Sequence, residues 1–121
     1  MKYKTFKYKN YTNCYFEVGN YAYNPQAMFI QIKNDNEGDI LTATVNMPNY
    51  LYMPDTTTIK NYSENSGITK FLKKMGIIED IYTSQKCNSF ASKHEAIDFC
   101  QINIDKLKKY SKEFHYDWKL D

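Results

Sequence analysis

Met28-Phe29-Ile30-Gln31-Ile32-Lys33, followed by the polar run Asn34-Asp35-Asn36-Glu37-Gly38-Asp39 and then by Ile40-Leu41-Thr42-Ala43-Thr44-Val45-Asn46, is the stretch whose reading decides the fold. Met28, Ile30 and Ile32 alternate with Phe29, Gln31 and Lys33, which is the period of two that places one apolar set on one face of a pleated strand. The polar run has the length and glycine content of a hairpin loop, and Leu41, Ala43 and Val45 resume the alternation on its far side. An antiparallel hairpin follows from these three facts.

Toward the N-terminus the same signal repeats. Residues 4–9 alternate with Phe6 and Tyr8 facing one way, and residues 14–18 place Phe16 and Val18 on one face, with a break at residues 20–25. Toward the C-terminus, Met47-Pro48-Asn49-Tyr50-Leu51-Tyr52-Met53-Pro54-Asp55 and the threonines to residue 58 contain two prolines, each lacking a backbone donor, so residues 47–58 are expected as an edge or loop. A short helix is expected over residues 66–75, because Ile68, Phe71, Leu72 and Met75 fall at i, i+3, i+4 and i+7 and Gly76 stands ready to end it. Residues 77–83 read as a further strand. Ser92-Lys93-His94-Glu95 has the form of a capping box, and Ala96, Ile97, Cys100, Ile104 and Leu107 continue it as a helical stripe to residue 111 or 114. The aromatic tail Phe114-His115-Tyr116-Asp117-Trp118 is expected to dock back on the body of the protein. The resulting fold class is α+β: an antiparallel sheet of four to five strands packed against a short helix and a longer C-terminal helix, in a single domain spanning residues 1–121.

Composition narrows what such a domain can do. All sixteen basic residues are lysine and none is arginine, so two-point recognition of phosphate or carboxylate by a guanidinium is excluded. The formal net charge of +2 supplies neither a strong field for nucleic acid nor the acidity of a DNA mimic. Cys14, Cys87 and Cys100 are three, widely spaced, and offer neither a disulfide framework nor a metal clamp, which points to a reducing, cytoplasmic setting. The N-terminal residues lack the apolar core of a signal peptide, and no apolar run reaches membrane-spanning length, so no membrane partner is expected.

Local chemistry has no advocate in the sequence. The only imidazoles are His94 and His115, and Cys100 lies about 600° around a helix from His94, so the two cannot pair locally. The run from Asp35 to Asp39 lacks the ligand register of a calcium loop. Motifs for phosphate, dinucleotide, serine-hydrolase and zinc-protease chemistry are absent. The expectation is therefore a protein that is not an enzyme, with no cofactor, no metal and no catalytic residue.

Val45-Asn46-Met47-Pro48, the segment from residue 61 to 66, Gly67-Ile68, Leu72 and Gly76-Ile77-Ile78 together resemble a family of small proteins carried on plasmids, conjugative elements and phages of Gram-positive bacteria. The resemblance covers about a third of the chain, and the expected charged C-terminal helix departs from it. It implies a mobile-element setting and no activity; by analogy with small, motif-free proteins of such elements, the expectation is an accessory protein that acts by binding a host protein, extending to an anti-defence inhibitor of CRISPR or restriction systems. Tyr50, Tyr52, Tyr62 and Trp118 are the expected contact residues, since such rings bury large amphipathic surfaces with few rotors to freeze. The alternative is a module for single-stranded nucleic acid, using Lys2, Lys4, Lys7 and Lys9 interleaved with Tyr3, Phe6, Tyr8 and Tyr11. The identity of the partner and the oligomeric state are not written in the sequence.

Overall fold

A computed structural model describes residues 3–47, 50–86 and 96–118. Strands dominate it: β1 (Phe6–Tyr8), β2 (Tyr11–Tyr21), β3 (Asn24–Asn34), β4 (Gly38–Thr42), β5 (Thr56–Asn61), β6 (Ile78–Lys86), β7 (Ala96–Ile102) and β8 (Ser111–Phe114). Two short helices, α1 (Ile68–Lys74) and α2 (Ile104–Lys109), and a 3-10 turn at Ser63–Asn65 complete the described elements. The first sheet runs β1-β2-β3-β4 with every pair antiparallel, and β8 joins the same edge of β2 in parallel, beyond β1. The second sheet is β5-β7-β6, also antiparallel.

The central hairpin forms as its alternation requires. Met28, Ile30 and Ile32 are fully buried, while Phe29, Gln31 and Lys33 lie half-buried on the other face, with Lys33 paired to Glu17 at 2.7 Å. Asn34 closes the turn by accepting the Glu37 amide on Oδ1 at 2.7 Å, and Gly38 takes a positive φ of 75°. Helix α1 likewise matches its sequence. Ile68 and Leu72 are buried, Phe71 and Met75 pack at the edge of the core, and Gly76 leaves the helix at φ 83°.

The long C-terminal helix does not exist, and the expected α+β arrangement is corrected by that fact. The capping box lies outside the described residues, but its continuation forms β7, α2 and β8 in place of one helix. Ala96 and Cys100 are four apart, a spacing that serves a helical face and also one face of a strand. With Asp98 and Ile102 they make the strand reading: residues 96, 98, 100 and 102 point inward, and Ile97, Phe99 and Gln101 point out. Asn103 then ends the strand and caps α2 by accepting the Lys106 amide on Oδ1 at 3.1 Å. One sheet of four to five strands is likewise corrected to two sheets.

The sheets share one core. Cys14, Phe16 and Val18 from β2, Met28, Ile30 and Ile32 from β3, Ile59 from β5, Ile77 and Ile78 at β6, Cys100 and Ile102 from β7, and Leu107 from α2 meet Ile68 and Leu72 in a single cluster. On the outer edge of the second sheet, β6 has no strand partner among the described residues. It carries bulges at Glu79 and Tyr82, each an extra residue against β7, which twist that edge and make it a poor template for another strand.

Leu72→Ala opens a cavity under α1 and is expected to cost about 2–5 kcal/mol, whereas Lys74→Ala on the exposed side stays within about 0.5 kcal/mol. Denaturant melts of the two variants check the difference.

Candidate functional site

The segment between β4 and β5 holds two of the four residues singled out for contact, Tyr50 and Tyr52, and anchors a third, Trp118. Tyr52 is 1% exposed. Its hydroxyl accepts the Met47 amide at 3.1 Å and sits 2.7 Å from Thr58 Oγ1. Thr58 spends its own proton on Val45 O at 2.5 Å, so the Tyr52 hydroxyl donates to Thr58. Every polar capacity of that ring edge is used internally. Trp118 is half-buried and donates Nε1–H to the Tyr52 carbonyl at 2.9 Å, which makes it a brace for the segment. Tyr62 stands apart, at the far end of β5 beyond Asn61, with the Lys60 ammonium 5.6 Å from its ring centroid.

Tyr50 is different. Its ring packs 4.8 Å from both Tyr52 and Phe99 and remains 39% exposed. Beside it Leu51 is 71% exposed and Met53 59% exposed, while Tyr82, across the sheet on β6, is 56% exposed. The two sides are joined. Tyr82 donates its hydroxyl to Gln101 Oε1, and Gln101 Nε2 donates to the Asp55 carbonyl at 3.2 Å. Thr56, which holds the Met53 carbonyl through its hydroxyl at 2.7 Å, is directly opposite Gln101 on β7. Tyr50, Leu51, Met53 and Tyr82 therefore form an apolar ledge on the outer face of the second sheet. Large apolar side chains clustered in this way mark an interaction surface more often than scattered ones do.

The tail fixes the ledge. The His115 amide extends the β8 pairing to Val18 O at 2.8 Å, and Asn20 grips the Asp117 backbone on both sides, at 3.0 and 3.2 Å. From there the Tyr116 hydroxyl accepts the Asp55 amide at 2.9 Å. Burial pushes that hydroxyl above the usual phenol range. Sequence reasoning missed Met53 and Tyr82, and left Leu51, on the same expected loop, out of the contact set. The alternation of 50 and 52 against 51 and 53 was the available signal for Leu51 and Met53, and the bulge that turns out Tyr82 has none.

A concavity of about 490 Å³ lies between α1 and the inner face of the second sheet, with Lys70, Lys73, Asn61 and Ile81 along it. Its floor carboxylate, Asp98, is buried and takes the Thr69 hydroxyl at 2.6 Å and the Ser84 hydroxyl at 2.5 Å. Those bonds tie α1 to β6 and β7. Cys100, two residues on, is wholly buried, and burial first, then the Asp98 charge, raises its thiol to about 12. A thiol so held is not a nucleophile at neutral pH. Cys14 is buried and raised by the same desolvation. His115 is exposed with Nε2 2.8 Å from Glu113 Oε1, and His94 and Cys87 lie outside the described residues. Among the described residues no three His, Cys, Asp or Glu side chains converge as metal ligands would.

Of the rings interleaved with the N-terminal lysines, Phe6 packs 4.7 Å from Phe16, Tyr8 is buried 5.0 Å from Phe71, and Tyr3 meets Tyr15 at 5.5 Å. Tyr11 is exposed. Comparison with family models, with curated proteins and with solved structures finds no match to this chain. Among the described residues no helix is long and apolar enough to cross a membrane.

Burial of both described thiols carries a direct consequence. In a Cys87→Ser protein at pH 8, a thiol reagent is expected to modify Cys14 and Cys100 only as fast as the fold opens. Fast stoichiometric labelling of the native protein would show a reactive thiol. Because the raised Cys100 proton is retained in the folded state while the unfolded thiol ionises near 9, its contribution to stability is complete below that value and is lost as pH climbs from about 9 toward about 12.

Proposed function

We propose that this chain acts without catalysis, by binding another protein through the ledge of Tyr50, Leu51, Met53 and Tyr82. The observation that carries the reading is the exposure of four large apolar side chains on a backbone that the tail and Thr56 hold in place. A surface fixed before contact loses little conformational freedom on association, which favours affinity. The mobile-element setting implied by the resemblance makes a host protein of the bacterial cytoplasm, a defence enzyme included, the first class of partner to test. Binding of single-stranded nucleic acid by the N-terminal strand is less favoured, since Phe6 and Tyr8 are committed to the core and a stacking platform needs open ring faces.

The test is capture from a host lysate by the tagged protein, run beside L51D/M53D. A stoichiometric partner held by the parent chain and lost by the variant, with unchanged circular dichroism, is the expected result. A partner retained by the variant, or no partner at all, overturns the reading. Retention on single-stranded DNA that collapses with salt would favour the nucleic-acid alternative.

A further inference from the structure

The charges around the ledge define the chemistry of what covers it. Asp80 is directly opposite Gln101 on β7, on the same outward face as the hydrogen-bonded Tyr82, and Glu79 is the exposed bulge residue beside it. Asp55 follows Met53 and Pro54 at the other margin. None of these three carboxylate residues makes an ion pair among the described residues. Among the described residues of the second sheet, the lysine on this face is Lys60, opposite Ile97, and its ammonium is held by Glu64 at 3.3 Å and lies over Tyr62. Among the described residues the rim is thus acidic and without an ion-pair partner, in a chain whose net charge is +2.

Resting on the reading that the ledge is a protein-docking surface, we infer that its occupant is an apolar protein segment flanked by lysine or arginine. An apolar centre with an acidic margin attracts such a segment and repels the competitors that share only half of its character. Phosphate backbones and anionic lipid surfaces are repelled by Glu79 and Asp80, and an acidic peptide meets like charge at the point of contact. Because Glu79 and Asp80 are exposed and Asp55 is half-buried, their part lies chiefly in the rate of encounter and in selectivity, and it is screened by salt.

The probe is a phage-displayed random peptide library panned on the immobilised full chain, with one enriched peptide then measured by fluorescence anisotropy at low and physiological salt. The expected enrichment is of sequences joining aromatic or aliphatic residues to lysine or arginine. Their affinity should fall about three- to tenfold in E79K/D80K and with added salt, and by more than about tenfold in L51D/M53D. The milder pair E79Q/D80N repeats the charge test should E79K/D80K fail to fold, as L51S/M53S does for the apolar pair. Enriched peptides without basic residues, lost by L51D/M53D and indifferent to E79K/D80K, would overturn the basic partner and leave the docking surface standing. Peptides indifferent to L51D/M53D, or no enrichment at all, would overturn both.

Discussion

The structure depends on one short segment being paired on both of its edges. After β4, the Ala43 amide still donates to Ile30 O on β3 at 2.8 Å, while on the other side the Lys60 amide donates to Ala43 O at 2.8 Å and the Val45 amide to Thr58 O at 3.1 Å. Between them Thr44 bridges to Ile59, and its hydroxyl accepts the Ile30 amide at 3.2 Å and meets the Tyr21 hydroxyl at 2.8 Å. A chain that left β4 for solvent would strand these donors. Because it does not, the two sheets are continuous through residues 43–45, and their inner faces close on a single core that neither could bury alone.

That continuity explains why the ledge exists where it does. With residues 43–45 occupying the near edge of β5, the following segment cannot pair there and crosses the outer face of the second sheet. Tyr52 turns in to reach Thr58, Tyr50 lands on Phe99, and the residues between and beyond, Leu51 and Met53, are left outward. The tail arrives from β8, which is itself fixed by parallel pairing to β2, and braces the same segment through Tyr116 and Trp118. Three parts of the chain far apart in sequence thus determine the attitude of four exposed side chains.

How much of this could be read beforehand follows from the range of each interaction. The β3-β4 hairpin, α1 with Gly76, and β6 were legible, because their alternation, their helical spacing and their turn residues are local. The strand β7 was not, because Ala96 and Cys100 fit both periods and the capping box tipped the balance; Ile97, Phe99 and Ile102, β-branched or aromatic, were the counter-signal. Thr56-Thr57-Thr58, expected in the edge or loop that ends at residue 58, begin β5 instead; with Ile59 they are four β-branched residues in a row, a counter-signal that outweighs the prolines before them. The pairing of β8 with β2 has no local signature at all. At the site, ring chemistry named Tyr50, Tyr52, Tyr62 and Trp118, but that the first two and Trp118 come together while Tyr62 stands apart, and which of them face solvent, was decided by hydrogen bonds to Met47, Thr58 and the Tyr52 carbonyl that only the tertiary structure supplies.

Lysine without arginine gives the surface a particular character. Lys70, Lys73 and Lys74 are exposed on α1 and make no ion pair among the described residues, while the unpaired carboxylates Glu79 and Asp80 begin β6 just past Gly76. Positive and negative groups are therefore separated across one turn of chain, on opposite faces of the second sheet, even though the total nearly cancels. A lysine ammonium is strongly hydrated and compact, so the helical face stays wetted and resists burial. The ledge, with its rings and thioether and its short rim of carboxylates, has the lower desolvation cost. On the proposed reading, net charge says little about what this protein meets, and the distribution of charge around this apolar outward face says most of it.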